Sequence, residues 1–141
     1  MFLVRLIYTS QVTGEFSKDD IEQIISSAKE NNRRAGITGL LCFNRKYFLQ
    51  VLEGTRTQVN ALYHHILQDS RHTQVILLSY HEITQREFDQ WHMAYVPEAG
   101  LRSEVCQRYS GSKEFNPLLM LGDSCLKLLL ELRGAVPQAT L

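Results

Sequence analysis

The sequence predicts a mixed α/β (α+β) fold in which two helices pack on one face of a single sheet. Three observations predict it. Four apolar segments have the alternation or continuous apolar character of strands. Two segments between them carry apolar residues at helical spacing. The chain of 141 residues is long enough for one compact domain with its own core.

The first strand and the first helix differ in their periodicity. In "FLVRLIY", Val4, Leu6 and Tyr8 share one face of a strand because strand side chains alternate. Ser17 is suited to the N-cap of the helix that follows. Apolar residues then recur at i, i+3, i+4 and i+7, and the next position of this stripe is Asn32. The stripe consists of Ile21, Ile24, Ile25 and Ala28.

The middle of the chain predicts a hairpin, a second helix and two more strands. "AGITGLLCF" and "YFLQVLEG" are apolar runs separated by the polar "NRK", which is typical of a β-hairpin. The stripe of the second helix is Val59, Leu62, Tyr63, Ile66 and Leu67. "QVILLSYHEI" and "DQWHMAYV" are the fourth and fifth strands. The resulting order, β-α-β-β-α-β with an added strand, predicts a ferredoxin-like sandwich.

The chain divides into a sandwich domain, residues 1–97, and a C-terminal helical segment, residues 98–141. The segment "LLMLGDSCLKLLLELR" has the periodicity of a helix, with Leu126, Leu129, Leu130 and Arg133 on one side. Forty-four residues cannot form a second core of their own, so we expect these C-terminal helices to pack on the open face of the sheet as a cap that carries output.

Composition excludes several classes of protein. Fifteen basic residues balance fifteen acidic ones, so no net charge favours binding to nucleic acid or to an anionic membrane. No run approaches the length of a membrane span, and the N-terminus lacks the features of a signal peptide. Three widely spaced cysteines match no metal-binding pattern and no disulfide framework. We therefore expect a cytoplasmic protein without a bound metal.

Three polar residues interrupt the apolar faces. Tyr8, Asn32 and Gln50 each occupy a position whose neighbours on the same face are apolar. Taken singly, each also fits a structural role: a buried phenol, a helix end and an irregular strand position. Together they would form a pocket that both donates and accepts hydrogen bonds, as a planar heterocycle with carbonyls and ring nitrogens requires. Its apolar walls would be Ile24, Ile25 and Phe48.

Trp91 and Met93 are predicted to extend this pocket. They stand at alternate positions of the fifth predicted strand and would therefore share one face. A large aromatic ring and a polarisable thioether could then line the same cavity.

These motifs together resemble a BLUF domain, the flavin-using sensor of blue light. "RLIY", "NNRRAGITGLL", "FLQVLEG", "QDSRH" and "WHM" follow one another in the order typical of that family, from about Phe2 to Val96. The leucine-rich tail resembles that of the short stand-alone BLUF proteins. The resemblance implies FAD, bound noncovalently between the two helices.

The resemblance also implies a role for each site residue. Tyr8 would donate an electron and a proton, and Gln50 would bridge Tyr8 and the flavin. Trp91 and Met93 would form the segment that switches on illumination. Further contacts with the cofactor would come from Asn31, Asn32, His65 and Asp69, where His65 stands at a position at which the family commonly has arginine.

The expected function is a reversible, red-shifted signalling state rather than catalysis. A downstream signalling protein, or a change in a homo-oligomer of two or more chains, would read it. An alternative is a ferredoxin-like module that binds a small molecule without photochemistry. An acylphosphatase-type hydrolase would use Arg5 and Asn32, but Arg5 faces away from Tyr8 and no glycine-rich phosphate loop is present. A flavin oxidoreductase is disfavoured because no nicotinamide-binding fingerprint is found.

Overall fold

The computed structural model describes residues 2–14 and 17–136, in which five strands form one sheet and four α-helices pack against it. Two short 3₁₀ turns, Glu98–Gly100 and Pro117–Leu119, lie in the C-terminal part. The strands are β1 (Leu3–Val12), β2 (Thr38–Phe43), β3 (Tyr47–Thr55), β4 (His72–Ile83) and β5 (Ala94–Val96). The helices are α1 (Lys18–Ala35), α2 (Arg56–Leu67), α3 (Ser103–Tyr109) and α4 (Gly122–Arg133).

The strand order is β4-β1-β3-β2-β5. All neighbouring strands are antiparallel except β2 and β5, which run parallel. The first four strands and the helices α1 and α2 form the β-α-β-β-α-β arrangement, and β5 is added at the free edge of β2. The predicted fold class, with an added strand, is therefore confirmed.

Helix α1 begins and ends where local chemistry favours it. The Ser17 side chain accepts a hydrogen bond from the Asp20 backbone N–H, and the Asp20 carboxylate accepts one from the Ser17 backbone N–H. This capping box satisfies amide groups that have no partner within the helix. At the other end Gly36 has a φ of 69°, a left-handed conformation that a glycine adopts without steric strain.

The sheet separates two apolar cores. The front core lies under α1 and α2 and contains Val4, Leu6, Tyr8, Ile21, Ile25, Ile37, Leu41, Phe48, Leu52, Val59 and Met93. The back core lies under α3 and α4 and includes Ile7, Leu40, Cys42, Leu49, Val51, Phe88, Trp91, Val105, Cys106 and Phe115, together with four residues of α4. The C-terminal helices thus cover the second face of the sheet, as predicted.

The buried side of α4 differs from the prediction. It consists of Cys125, Leu128, Leu129 and Leu132, whereas the predicted stripe was offset by one position. The start of the helix also lies close to β4. A Cβ atom at Gly122 would lie 2.6 Å from the Leu78 carbonyl oxygen, so only glycine lets α4 begin directly on that strand.

Two predicted strand limits are wrong. β1 continues through Val12, where a polar connection was expected, because Gln11 pairs with Tyr47 of β3 and Val12 with His72 of β4. The fifth strand is only Ala94–Val96, so the segment before it does not alternate as a strand does.

Across residues 2–14 and 17–136, no cluster of His, Cys, Asp or Glu could hold a metal ion. No helix in that same part of the chain is long and apolar enough to cross a membrane. The three cysteines are free and buried. Residues 137–141 of the predicted C-terminal segment lie outside the described residues.

Candidate functional site

A cleft of about 190 Å³ opens between α1 and α2, above the front face of β1 and β3. Polar groups lie at its base and apolar side chains form its walls. It is lined by Tyr8, Ile24, Ser27, Ala28, Asn31, Asn32, Leu41, Phe48, Gln50, Leu62, His65, Ile66, Asp69, Arg71 and His72. An apolar slot with a few polar groups is typical of a site for a small organic ligand.

Tyr8, Gln50 and Met93 form a hydrogen-bonded chain at the base of the cleft. Tyr8 and Gln50 are directly opposite each other in the β1–β3 pair, which brings their side chains together on the front face. The Tyr8 hydroxyl donates to Gln50 Oε1, and Gln50 Nε2 donates to Met93 Sδ at 3.3 Å. Both hydrogen-bonding ends of the buried amide are therefore satisfied, and one of its partners is a weak acceptor.

The Tyr8 phenol is held in its protonated form. Burial raises the pKa of Tyr8 far above its ordinary value, and the nearby Asp69 carboxylate and the Tyr63 ring raise it further. The Tyr63 ring lies 5.9 Å from the Tyr8 ring, measured between centroids. Tyr8 is therefore neutral at physiological pH and can donate the hydrogen bond to Gln50.

Asn32 joins α1 to the segment that precedes β5. Its Nδ2 donates to the His92 backbone carbonyl at 2.7 Å. The His92 ring contacts the residues that follow α1, with Nδ1 lying 3.0 Å from the Ile37 carbonyl oxygen. Since a carbonyl only accepts, His92 Nδ1 carries the proton. Asn31, the neighbouring residue, is exposed at the rim of the cleft.

Asp69 and Arg71 stand at the end of α2 beside the cleft. Arg71 donates to both carboxylate oxygens of Asp69, with its Nε at 2.9 Å from Oδ1. The hydrogen bond from Arg71 is the main reason why the pKa of Asp69 is lowered. His65 lies on the same wall, so this wall presents an imidazole, a carboxylate and a guanidinium to a ligand.

The structure brings most of the predicted site residues together. The cleft is lined by Tyr8, Gln50, Asn31, Asn32, Ile24, Phe48, His65 and Asp69. Ile25 instead packs in the front core below the cleft and is 4% exposed. Met93 is also in the front core, where it contacts Gln50.

The prediction that Trp91 and Met93 share one face is wrong. Trp91 lies in the back core with the C-terminal helices, whereas Met93 lies in the front core. Alternation does not hold here because residues 84–93 are outside regular strand structure. Among the described residues, Trp91 Nε1 is the one buried side-chain nitrogen or oxygen without a hydrogen-bond partner.

Several lining residues were not predicted. Leu62 and Ile66 belong to the apolar stripe of α2, which the periodicity had placed against the sheet without assigning it to the site. Arg71 and His72 follow Asp69 and Ser70 in the "QDSRH" motif, which was the available signal for them. Ser27, Ala28 and Leu41 gave no signal that distinguishes them from ordinary helix and core residues.

A comparison with protein families matches residues 3–94 to the family described as BLUF, sensors of blue light using FAD. The matched region contains every residue that lines the cleft. This chain belongs to the BLUF family. It is therefore a member of a family of light sensors, which agrees with the expectation that the chain itself is not an enzyme.

Curated relatives of this BLUF chain include regulators and cyclase subunits. It is 38% identical over 76 residues to the blue light- and temperature-regulated antirepressor BluF of Escherichia coli, a match that covers 54% of this chain and 19% of the relative. It is 33% identical over 93 residues to the photoactivated adenylate cyclase subunit beta of Euglena gracilis, covering 64% of this chain and 11% of the relative. The chain thus spans about a fifth or less of these proteins.

Two solved BLUF structures match nearly the whole chain. The photo-activated state of BlsA is 32% identical with a TM-score of 0.82, covering 93% of this chain and 94% of that one. The dark-state structure of BlrB is 30% identical with a TM-score of 0.81, covering 95% of this chain and 97% of that one. The similarity therefore includes the C-terminal helices as well as the sheet.

The residues that line the cleft fit FAD, the cofactor that the BLUF family uses. The apolar walls from Ile24, Phe48, Leu62 and Ile66 suit the faces of a planar ring, and the amides and phenol at the base suit its carbonyls and nitrogens. Asn31, Asn32, Gln50, His65 and Asp69 are the residues that would hold the cofactor.

Proposed function

We propose that this chain is a cytoplasmic blue-light sensor in which Tyr8 and Gln50 are the photochemical pair of a noncovalently bound FAD. The hydrogen-bonded chain from Tyr8 through Gln50 to Met93 is the observation that carries the proposal. A buried phenol that donates to an amide on the base of the cleft is arranged to release its proton along a defined path. The three free, buried cysteines agree with a reducing compartment.

The chemistry divides between the cofactor and the protein. FAD, when bound, supplies a chromophore that becomes a strong oxidant on absorbing blue light. Tyr8 is the electron donor, and its hydroxyl proton leaves along the hydrogen bond to Gln50. Both return to Tyr8 afterwards, so the protein undergoes no net oxidation. What remains is the changed arrangement of the Gln50 amide.

Gln50 is suited to this role because its two ends have opposite hydrogen-bonding character. In this structure the oxygen accepts from Tyr8 and the nitrogen donates to a thioether sulfur. A bond to sulfur opposes rotation or tautomerisation of the amide only weakly. After the change, an amide N–H would occupy the place of the oxygen, so Gln50 would offer a donor where it now offers an acceptor. The slightly red-shifted absorption would report this exchange. Reversal in the dark restores the first arrangement.

The change would reach the C-terminal helices through residues 86–93. Met93 contacts Gln50 at one end of this segment. At the other end, the backbone N–H groups of Glu87 and Phe88 donate to the buried Glu53 carboxylate at 2.7–3.1 Å. Arg133 of α4 donates to the Glu87 carbonyl oxygen. We propose that a shift at Met93 acts on α4 along this stretch of the chain, whose two ends are held by Gln50 and by Arg133.

The output we propose is a binding event. The E. coli relative is named an antirepressor and the Euglena relative a cyclase subunit, and this chain covers only a small part of each. By analogy, a downstream signalling protein would recognise the lit form of this chain, or a homo-oligomer of two or more chains would rearrange.

Absorption spectra of the purified protein test the proposal directly. The protein is reconstituted with FAD, and its spectrum is recorded in darkness and immediately after blue light. We expect an oxidised flavin band that moves slightly to the red and recovers in the dark. Tyr8→Phe should retain FAD and lose the shift, while Tyr80→Phe, at an exposed tyrosine of β4, should behave as wild type. A protein that binds no FAD after reconstitution would favour a small-molecule module without photochemistry.

A further inference from the structure

His72, the first residue of β4, bridges two walls of the cleft. Its Nδ1 lies 2.6 Å from Ser10 Oγ, and its Nε2 lies 2.8 Å from the Ile66 carbonyl oxygen. Its ring also meets two aromatic rings edge-on, with centroids 6.3 Å from Tyr8 and 5.9 Å from Phe48. One imidazole therefore makes four separate contacts around the base of the cleft.

The two hydrogen bonds define the tautomer of the neutral His72 ring. The Ile66 carbonyl oxygen can only accept, so His72 Nε2 must carry the ring proton. Nδ1 is then unprotonated and accepts from the Ser10 hydroxyl. Ser10 is 1% exposed, so its hydroxyl has little access to water and this bond satisfies it.

The elements that His72 connects are those that position the photochemical pair. Ser10 lies two residues beyond Tyr8 on β1 and on the same face of the sheet. Ile66 lies in the last turn of α2, and its side chain lines the cleft. The bridge therefore holds α2 at a set distance from β1. The ring edge against Tyr8 restricts the tilt of the phenol, whose hydroxyl must reach Gln50.

We propose that His72 is a positioning residue: in one tautomer, it ties the end of α2 to β1 and holds the Tyr8 ring in place for its hydrogen bond to Gln50. This proposal rests on the proposed function, because it deepens the role of the same cleft. His72 affects the photochemistry by positioning Tyr8, and it affects FAD binding by setting the distance between α2 and β1.

Three substitutions separate its contacts. His72→Phe keeps a ring of similar shape and removes both hydrogen bonds. Ser10→Ala removes one of these bonds and leaves the ring in place. His72→Gln offers a side-chain N–H that can reach the Ile66 carbonyl, as His72 Nε2 does. His81→Phe, at an exposed histidine of the same strand, is the matched control.

Two readouts are measured on full-length protein: the affinity for FAD, and the yield of the red-shifted state. We expect His72→Phe to bind FAD at least about fivefold more weakly, because both hydrogen bonds that set the width of the cleft are lost and one net bond alone is worth about that factor. Its yield should fall at least about twofold because Tyr8 is less well placed. Ser10→Ala should lower the yield while leaving the affinity within about twofold. His72→Gln should recover most of the affinity, and His81→Phe should change neither quantity.

Nitrogen NMR of the ring, in the dark and without FAD, tests the tautomer independently of any photochemistry. We expect the neutral form of the His72 ring to carry its proton on Nε2 in wild type. A neutral ring protonated at Nδ1 would overturn the proposal, as would His72→Phe with wild-type affinity and yield. A wild-type protein that binds FAD without a shifted state would overturn the proposed function instead. In that event, the tautomer and the FAD affinities of the variants would still decide whether His72 holds the cleft.

Discussion

Trp91 and Met93 are separated by one residue and lie on opposite sides of the sheet. Met93 accepts a hydrogen bond from Gln50 in the front core, and Trp91 is buried in the back core with α3 and α4. The segment between them therefore passes from the cofactor side of the molecule to the side that carries the C-terminal helices. Under the proposed function, the two residues of the "WHM" motif therefore have different roles: Met93 lies beside the Gln50 amide that we propose changes, and Trp91 lies beside the C-terminal helices that we propose respond.

Met93→Leu should alter the photocycle, whereas Trp91→Phe should leave the dark flavin spectrum unchanged. Leucine has nearly the volume of methionine but lacks the sulfur that accepts from Gln50 Nε2. We expect the rate of dark recovery to change more than about twofold in Met93→Leu, because only the hydrogen bond is removed. Time-resolved absorption after a blue flash measures the recovery rate of Met93→Leu, and an absorption spectrum recorded in darkness tests Trp91→Phe. Equal recovery rates in Met93→Leu and wild type would contradict a role for the sulfur.

Gln50→Leu should bind FAD and give no normal red-shifted state. Leucine cannot accept the Tyr8 proton and has no amide ends to exchange. Gln23→Leu, on the exposed side of α1, serves as the control and should retain the wild-type shift. Difference spectra, taken between the dark and the illuminated protein, measure the red shift in both variants and in wild type. A wild-type photocycle in Gln50→Leu would remove Gln50 from the mechanism.

The raised pKa of Tyr8 predicts a loss of stability at alkaline pH. Below an ordinary phenol pKa of 10.0, Tyr8 is protonated in both the folded and the unfolded chain. Above it, only the unfolded chain releases the proton, so unfolding becomes more favourable as pH rises. For one proton, the slope approaches ~1.4 kcal/mol per pH unit. Tyr8→Phe lacks this contribution to the pH dependence because phenylalanine has no proton to release.

Urea unfolding at about pH 10 and about pH 11 measures that difference. Wild type should lose roughly 1 kcal/mol more of its free energy of unfolding over this interval than Tyr8→Phe does. Tyr80→Phe, on the exposed strand β4, should lose as much as wild type. Identical pH dependence in wild type and Tyr8→Phe would show that the Tyr8 phenol ionises as readily in the folded chain as in the unfolded chain.

Glu53→Gln should destabilise the fold strongly. The Glu53 side chain is fully buried and accepts from Arg5 Nε at 2.8 Å as well as from two backbone N–H groups of the segment before β5. A neutral amide leaves Arg5 without its counter-charge, and we expect a loss of about 3 kcal/mol. Glu82→Gln, which breaks the exposed pair with Arg56, should lose under about 1 kcal/mol. Similar losses in the two variants, measured by urea unfolding, would argue against a structural role for the buried pair.

Arg133→Gln should separate photochemistry from output. Arg133 links α4 to the segment before β5 through the Glu87 carbonyl oxygen and lies over the Phe88 ring, 5.9 Å from its centroid. The variant should keep the red-shifted state, since Arg133 does not line the cleft. Hydrogen exchange should show a light-dependent change in α4 in wild type and a smaller one in Arg133→Gln. Arg34→Gln, which alters an exposed pair with Glu30 within α1 and leaves α4 untouched, is the control. An unchanged exchange difference in Arg133→Gln would exclude this route.

Local properties of the sequence determined the elements and much of the candidate site. Ser17 and the stripe from Ile21 predict α1, because capping and helical periodicity depend only on near neighbours in the chain. Tyr8 and Gln50 were identifiable because a polar group on an apolar strand face is energetically unfavourable unless something bonds it. Such signals do not require knowledge of the fold.

Tertiary structure alone decided which of these groups meet. The register that sets Tyr8 opposite Gln50 depends on the pairing of two strands about forty residues apart in sequence. A charged residue inside an apolar strand does not indicate its partners. The burial of Glu53 depends on its cross-strand neighbour Arg5 and on the backbone N–H groups of Glu87 and Phe88, which only the fold brings together.

The positions of Trp91 and His72 were decided in the same way. Alternation has meaning only within a regular strand, and Trp91 precedes β5, so its side of the sheet is set by packing against the C-terminal helices. His72 bridges β1 and α2 because the sheet places β4 beside β1. Periodicity is a property of neighbouring residues, whereas contacts of this kind depend on the whole arrangement of the chain.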